Sequence, residues 1–190
     1  MLSSYFCIKI ENYQTNYKML QTETKVLSVN ISEKKGTVKQ PVKHIELFEL
    51  GVKNDAHSGK WRRQVSLLAR ESIEKSSQAI GREIKYGEFA ENITTEGIVL
   101  YETKPGDRLI IGETELEVTQ IGKRCHTGCE IFSLVGNCVM PTEGIFARVI
   151  KQGIIKPGDK IVYLKTGMIE MHGRASQRAT GRTPQQSGNH

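Results

Sequence analysis

The sequence contains no long apolar run, no glycine-rich nucleotide-binding motif and few aromatic residues, which make up 6% of its 190 positions. No stretch approaches the roughly 20 apolar residues of a membrane-spanning helix. Neither GxGxxG nor a P-loop occurs, which argues against the common dinucleotide and nucleoside triphosphate folds. The opening "MLSSYFCIKIENYQTNY" has no continuous apolar segment of a secretory signal. We therefore expect a cytoplasmic protein without membrane association.

Basic residues are in excess, but no dense Lys/Arg block with interleaved aromatic residues occurs. The formal net charge is +6, and residues 165–190 supply half of it through four basic residues against one acidic residue. The small remaining excess disfavours nucleic acid as a partner, because nucleic-acid-binding domains concentrate positive charge on one surface. An anionic small molecule would need only a local basic pocket.

Composition divides the chain into three parts. Residues 1–24 are polar and aperiodic, and we interpret them as an N-terminal extension. Residues 165–190 are rich in Gly, Ser, Thr and Gln, and this composition predicts a disordered tail. The intervening residues 25–164 should form a single domain, because a segment of this length can bury its own core.

Short strands dominate the predicted domain. "KVLSVNI" alternates apolar and polar residues, and strands are also expected over 42–50, 108–122, 144–153 and 160–164. Two near copies, "KPGDRL" and "KPGDKI", predict similar turns that each lead into a strand. Helical spacing runs from Val65 to Ile80, and Gly81 is placed to end that helix. No alternating βαβ pattern is visible. The fold class predicted is mainly β, a barrel-like domain with one or two helices.

The segment "IGKRCHTGCEIF" holds two cysteines four positions apart in a basic context. Lys123 and Arg124 precede Cys125 and His126 follows it, and nearby cations favour the reactive thiolate. A disulfide is disfavoured in a reducing compartment. A zinc site formed with Cys138 is also disfavoured, because adjacent Cys and His side chains rarely reach one ion. Cys138 itself is predicted to be a small buried residue.

Two further segments could bind a ligand. Residues 54–68 crowd His57, Lys60, Arg62 and Arg63 at the opening of the predicted helix, where basic groups and backbone amides can hold an anion. A solvated run of loop charges explains the same residues equally well. In "GEFAENITTEGI", Asn92 offers hydrogen bonds to a ligand, although turn-forming polar residues between strands also explain this segment.

Four strings resemble the MOSC domain, the family named for the C-terminal part of molybdenum cofactor sulfurases. They are "DAHSGKWRRQVSLLARESIEK", "GEFAENITTEGI", "GDRLIIGETELEVTQIGKRCHTGCEIF" and "GNCVMPTEGIFARVI…GIIKPGDKI". The resemblance covers about residues 25–164 and is strongest to bacterial stand-alone or biosynthesis-fused members. It implies a β-barrel fold and an association with molybdopterin-bound molybdenum or with sulfur handling.

The resemblance also implies a functional cysteine. In sulfurases this cysteine is proposed to carry sulfur, in amidoxime-reducing relatives it ligates molybdenum, and several bacterial members detoxify N-hydroxylated bases. The common Arg-x-Pro-Cys pattern is replaced here by "KRCHTGC". Alignment on the following "IF" selects Cys129 as metal ligand and catalytic residue, whereas counting from the arginine selects Cys125. The remaining predicted site residues would bind the molybdenum cofactor: His57, Lys60, Arg62, Arg63, Asn92, Arg124 and His126.

Two classes of function stay open at this stage. One is a molybdenum-dependent oxidoreductase, which would reduce small N-hydroxylated compounds with an electron-donor protein, or a sulfur transferase. The other is a carrier of cofactor or sulfur that performs no turnover. A zinc- or nucleic-acid-binding β-barrel is a further, less favoured alternative. No pyridoxal-binding motif is present, so any sulfur must come from a separate donor protein.

Overall fold

The computed structural model describes residues 23–123, 133 and 138–166. The elements described in full are eleven strands, one α-helix and one 3₁₀ turn. Their bounds are β1 (Lys25–Ile31), β2 (Gln40–Val42), β3 (Ile45–Phe48), β4 (Gly51–Val52), β5 (Val65–Ala69), α1 (Arg70–Ile80), β6 (Ile93–Glu96), the 3₁₀ turn (Leu100–Glu102), β7 (Arg108–Ile111), β8 (Thr114–Ile121), β9 (Ile145–Lys151), β10 (Gly153–Ile155) and β11 (Ile161–Leu164). The predicted mainly β, barrel-like fold is confirmed.

Eight strands form one curled sheet, in the order β11-β7-β8-β9-β5-β6-β1-β2. A smaller sheet of three strands has the order β10-β3-β4. Among the described strands one pair, β5 and β6, is parallel, and α1 lies on the connection between its members. In the part of the chain that the structure describes, no helix has the length and apolar character needed to cross a membrane.

The β7–β8 hairpin shows why the alternating sequences become strands. Leu116 and Val118 are fully buried, as predicted, and Glu115 and Glu117, which alternate with them, are partly exposed. On the outer side Arg108 forms ion pairs with Glu115 (2.7 Å) and Glu117 (2.8 Å) across the two strands. One face of the hairpin therefore lies against the core, while the other carries charge.

Among the described residues, the core consists of two clusters on opposite faces of the central strands. The larger cluster fills the inside of the curled sheet and includes Leu67 of β5. The smaller cluster includes Leu68 of β5 and Ile73 of α1. Because neighbouring side chains of a strand point to opposite faces, β5 contributes to both clusters, and all five of its residues are buried.

The predicted helix from Val65 to Ile80 is wrong over its first five residues. Val65–Ala69 forms the buried strand β5 between β9 and β6, and α1 begins only at Arg70. A strand that is covered on both faces has apolar residues at nearly every position, so it also satisfies helical spacing. The helix end is confirmed, since Gly81 adopts a left-handed φ of 76° and its N–H donates to the Ser77 carbonyl. The β5–α1–β6 crossover is a βαβ unit that the sequence pattern did not indicate.

The segment 42–50 is also not one strand. β2 ends at Val42, β3 covers Ile45–Phe48, and the chain then turns into β4 at Gly51. Gly51 has a φ of +120°, and a Cβ there would lie 2.7 Å from the Gln64 carbonyl oxygen. The chain can therefore reverse beside Gln64 only because position 51 has no side chain.

The two Pro-Gly-Asp segments are turns, as predicted. Each aspartate accepts a hydrogen bond from the backbone N–H three residues earlier, Asp107 from Lys104 (2.8 Å) and Asp159 from Lys156 (2.9 Å). Asp107 additionally accepts bonds from the Tyr163 hydroxyl and from the backbone N–H and hydroxyl of Thr166. The first turn thereby fastens the end of β11 to the start of β7.

Candidate anion site around His57

A buried lysine underlies the candidate site. Lys39, just before β2, is 2% exposed. Its Nζ donates to Asp55 Oδ2, to Ser32 Oγ at 3.4 Å and to His57 Nδ1 at 3.3 Å. An ammonium group has three donors, and each one here has an acceptor. Lys39 is therefore committed to its protein neighbours and acts by positioning them.

Asp55 is the counterion of Lys39 and is equally buried. Oδ2 also accepts from the Ser32 N–H and Oδ1 from the His57 N–H, both at 3.0 Å. Burial raises the pKa of Asp55, but hydrogen bonds from His57 and the charge and hydrogen bond of Lys39 outweigh it and hold the pKa well below its usual range. Asp55 therefore stays ionised and fixes the backbone that carries His57.

The orientation of the His57 ring follows from this pair. Nδ1 of His57 lies 3.3 Å from Lys39 Nζ and 3.5 Å from Asp55 Oδ1. An ammonium group cannot accept a hydrogen bond, so in the neutral ring we assign Nδ1 as the acceptor from Lys39, the nearer of the two groups. In the neutral ring the proton then resides on Nε2. The His57 side chain is 24% exposed, in contrast to the fully buried pair beneath it. The arrangement thus leaves an imidazole N–H donor for a ligand.

Aromatic rings connect His57 to two cationic side chains. The Trp61 Nε1–H donates to the His57 carbonyl at 2.8 Å. The Arg63 guanidinium lies 4.9 Å from the centre of the Trp61 ring and 5.8 Å from that of Phe146, and Lys123 Nζ lies 5.9 Å from the Phe146 ring. These distances allow cation–π attraction, which restrains both cations. We call His57, Trp61, Arg63, Lys123 and Phe146 the His57 cluster.

Among the described residues, the positive charge of the His57 cluster is not compensated by an ion pair. Within residues 23–123, 133 and 138–166, neither Arg63 nor Lys123 forms an ion pair, and both are partly exposed. Lys35 adds a further cation, with Nζ 5.7 Å from the Trp61 ring. Unpaired cations beside a donor N–H attract an anion, and a guanidinium group suits the oxygens of phosphate.

The structure separates the four basic residues predicted between positions 57 and 63. His57 and Arg63 belong to the His57 cluster. Lys60 and Arg62 are exposed and line an open groove of about 740 Å³ on another part of the surface, together with Arg148 and Glu117. Trp61 borders this groove as well. The predicted basic segment thus divides between two surfaces.

Among the described residues, no helix start contributes to the anion site. The sequence predicted that residues 57–63 would open a helix and gain its backbone N–H groups. Instead this segment leads into β5, and α1 begins at Arg70 without a side-chain cap. Attraction for an anion therefore rests on side-chain charge and on the imidazole donor.

Asn92 lies in the interior, 1% exposed, rather than on the surface. Its Oδ1 accepts from the N–H (3.1 Å) and hydroxyl (2.9 Å) of Ser66, and its Nδ2 donates to the Asn30 carbonyl (3.2 Å). These bonds tie β5, β6 and β1 together. The predicted contact of Asn92 with a cofactor stays a prediction.

The predicted cysteine site lies outside the described residues. Cys125 and Cys129 lie there, and so do Arg124, directly before Cys125, and His126, directly after it. Cys138 is described and half-buried, and it packs against the smaller core cluster, close to the predicted small buried residue. In the described ranges no three His, Cys, Asp or Glu side chains are grouped as a metal site.

Sequence reasoning missed Lys39 and Phe146 as parts of the site. Lys39 stands alone in "TVKQPV", and nothing in that string distinguishes a buried lysine from a surface one. Phe146 occupies an ordinary apolar position of β9. Lys123 was considered only as a neighbour of Cys125. Lys39 contacts His57 directly, whereas Lys123 and Phe146 are linked to it through Arg63 and Trp61. Local sequence patterns cannot show these tertiary contacts.

The fold and the site define a small β-barrel domain with a cationic surface built around a buried Lys–Asp pair. The chain belongs to the MOSC domain family, whose family model matches residues 54–162. The match includes His57, Trp61, Arg63, Lys123 and Phe146, so the whole His57 cluster lies inside the family region. No curated protein matches the chain significantly.

Solved structures with the same fold come from several bacteria. The chain is similar to the YuaD protein of Bacillus subtilis, with a TM-score of 0.64, 20% identity, and coverage of 77% of this chain and 99% of that one. YiiM of Geobacillus stearothermophilus has a TM-score of 0.58 and 20% identity over 83% and 91% of the two chains. YiiM of Escherichia coli has a TM-score of 0.55 and 18% identity over 76% and 71%. At these identities the likeness shows the fold.

Proposed function

We propose that the chain is a molybdenum-cofactor-associated MOSC protein that holds an anionic pterin cofactor at the His57 cluster and uses a neighbouring cysteine as its working thiolate. The observation that carries the proposal is the pair of cations Arg63 and Lys123, which form no ion pair among the described residues and are linked to His57 through the Trp61 and Phe146 rings. Lys123 is followed directly in the sequence by Arg124 and Cys125.

The residues present fit the phosphate end of such a cofactor. A phosphate group needs cations and N–H donors, and the cluster supplies a guanidinium fork, an ammonium group and an imidazole N–H. The Lys39–Asp55 pair keeps the imidazole in the donor orientation, and the rings of Trp61 and Phe146 restrain Arg63. Little side-chain freedom would then be lost on binding, which favours affinity.

The cysteine supplies the second part of the proposal. Cations that flank a thiol favour its thiolate form, and thiolate is a soft ligand suited to molybdenum as well as the form that can carry sulfur. Molybdenum, when bound, would supply the redox centre, and reduction of N-hydroxylated compounds is the activity that we propose for the loaded protein. Without molybdenum, the same thiolate would serve as a sulfur carrier loaded by a separate donor protein.

The test compares purified variants from a molybdenum-replete host. Arg63→Met and Lys123→Met remove one cation each, and Lys60→Met removes an exposed cation of the other groove as a matched control. Metal analysis gives the molybdenum content, fluorescence of the released, oxidised pterin gives the cofactor content, and the melting temperature reports folding. We expect at least a tenfold loss of pterin in the first two variants and no change in Lys60→Met. Equal losses in all three variants would contradict the assignment of the site.

The cysteines are tested in the same way. Serine is nearly the size of cysteine but lacks the soft sulfur, so Cys129→Ser should lose molybdenum or bound persulfide sulfur without a change in melting temperature. Cys125→Ser should lose only part of it. A Cys125→Ser protein without metal, beside a normal Cys129→Ser protein, would reverse the choice of cysteine. Absence of molybdenum, pterin and persulfide from the wild type would overturn the proposal.

A further inference from the structure

A buried carboxylate below the site has no role in the function proposed so far. Glu91 is 0% exposed. Its Oε1 accepts from the Gly87 N–H (2.5 Å) and from the Thr94 hydroxyl (2.9 Å), whereas Oε2 is buried without a hydrogen-bond partner among the described residues. Burial of an incompletely bonded carboxylate is unfavourable, so structure alone does not explain its presence.

One tight turn connects Glu91 to the lysine of the site. The Gly87 N–H bonds to Glu91, and the Gly87 carbonyl accepts from the Lys39 N–H at 2.9 Å. Gly87 has a φ of +92°, and a Cβ there would lie 2.2 Å from the Lys39 carbonyl oxygen. Only glycine permits this approach, and it brings the carboxylate within electrostatic reach of Lys39.

We propose that Glu91 is a positioning residue that acts through Lys39: it is the second carboxylate, beside Asp55, that keeps the buried lysine charged and thereby keeps the His57 Nε2–H available to a ligand. This role rests on the proposed function only in that the His57 cluster is the working site. Lys39 must donate to His57 Nδ1 for the neutral ring to keep its proton on Nε2. The ammonium form has no lone pair and can only donate, whereas a neutral amine can also accept a hydrogen bond from Nδ1–H and no longer fixes the tautomer.

The electrostatics of the group agree with this geometry. Burial lowers the pKa of Lys39, the charges of Asp55 and Glu91 raise it, and the charge of Lys123 lowers it. Burial raises the pKa of Glu91 to about 7, against hydrogen bonds from backbone N–H groups and from Thr94. The carboxylate of Glu91 is thus ionised above about pH 7, and its charge then opposes the loss of the Lys39 proton.

The experiment follows the two side chains directly by NMR, without any cofactor. The full chain, labelled with ¹³C,¹⁵N-lysine and ¹⁵N-histidine, is titrated from pH 6 to 11, with Lys39→Met and His57→Gln spectra for assignment. In Glu91→Gln we expect the Lys39 ¹³Cε transition at lower pH than in the wild type. The His57 ¹⁵N shifts should show loss of the pure Nε2–H tautomer at that same lower pH.

Glu88→Gln is the matched control, because Glu88 lies in the same turn but pairs with Arg82 at the surface. Its Lys39 transition should equal that of the wild type. If Glu91→Gln fails to fold, Thr94→Val replaces it: loss of the hydroxyl donor should raise the pKa of Glu91 and move the Lys39 transition in the same direction. An unchanged Lys39 transition in the folded variant, or an equal shift in Glu88→Gln, would overturn the proposal. Because no cofactor is present, this outcome is independent of the molybdenum test.

Discussion

Replacement of Asp55 by asparagine should separate the two roles of the buried ion pair. Asp55→Asn keeps the size of the side chain but removes the counterion of Lys39, whose side chain is fully buried. Removal of one partner from a buried pair costs about 3–5 kcal/mol, because the remaining charge stays uncompensated. Asparagine also has a single acceptor oxygen, so it cannot bond to both the Ser32 and the His57 N–H groups as Asp55 does. We therefore expect a loss of about 4 kcal/mol in the free energy of unfolding near neutral pH.

The loss should depend on pH in a defined direction. Burial already lowers the pKa of Lys39 below that of an exposed lysine, and removal of Asp55 lowers it further. Between the folded and unfolded pKa values the unfolded state binds more protons, so stability rises with pH across that interval. The interval is wider in the variant than in the wild type. The deficit of Asp55→Asn should accordingly be largest at pH 6 and smaller at pH 9.5.

Urea unfolding at pH 6, 8 and 9.5, extrapolated linearly to water, measures this deficit. Asp159→Asn is a suitable control, since Asp159 forms its ion pair with the exposed Lys156 and should show a loss of about 1 kcal/mol or less without the same pH trend. A deficit for Asp55→Asn under about 1 kcal/mol at pH 6, or one that does not fall by pH 9.5, would refute a buried, counterion-dependent Lys39.

Two further stability predictions concern single contacts. Gly87→Ala should lower the free energy of unfolding by roughly 3 kcal/mol or more, because its Cβ would lie 2.2 Å from the Lys39 carbonyl oxygen. Gly36→Ala is the control: Gly36 has a φ of +78° but nothing within 4 Å of the added Cβ, so this variant should lose only about 1–2 kcal/mol. Equal losses of the two variants in urea unfolding would contradict the contact. Asp107→Ala should lose about 2–3 kcal/mol and speed amide hydrogen exchange at Thr166, whose N–H bonds to Asp107; unchanged exchange would show that this bond does not hold the end of β11.

The sequence predicts the parts of the fold that depend on local pattern. In "RLIIGETELEV" an apolar run leads into a turn at Gly112, and Leu116 and Val118 then alternate with glutamates, so the hairpin with Leu116 and Val118 inside follows from the local pattern. Val65–Ala69 could not be assigned in this way. Its identity as a strand depends on pairing with β9 and β6, and a doubly covered strand has the same apolar density as a helix face.

The same distinction between local pattern and tertiary contact applies to the candidate site. His57 and Arg63 were predicted because they stand in one crowded basic segment. Lys39 could not be, since its burial depends on Asp55 and on the turn at Gly87, and isolated lysines usually lie at the surface. The separation of Arg62 from Arg63 was equally hidden, because the sequence placed both residues in a loop that opens a helix, whereas the chain there leads into strand β5.

The position of β5 in the sheet also determines how the chain must fold. β7 and β8 form a hairpin, and β9 and β11 join them as antiparallel neighbours, so this half can assemble from nearby segments. The other half joins the same sheet at β5, where Leu67 pairs with Ile145. Closing the loop between Leu67 and Ile145 costs about 4 kcal/mol of chain entropy before any contact is gained. High contact order of this kind slows folding. Until the β5–β9 pairing forms, β5 and β9 each expose an unpaired strand edge, and β5 consists of residues that are all buried in the folded chain. The strand that unites the two core clusters is therefore also the segment at which a folding chain is most open to association with another copy.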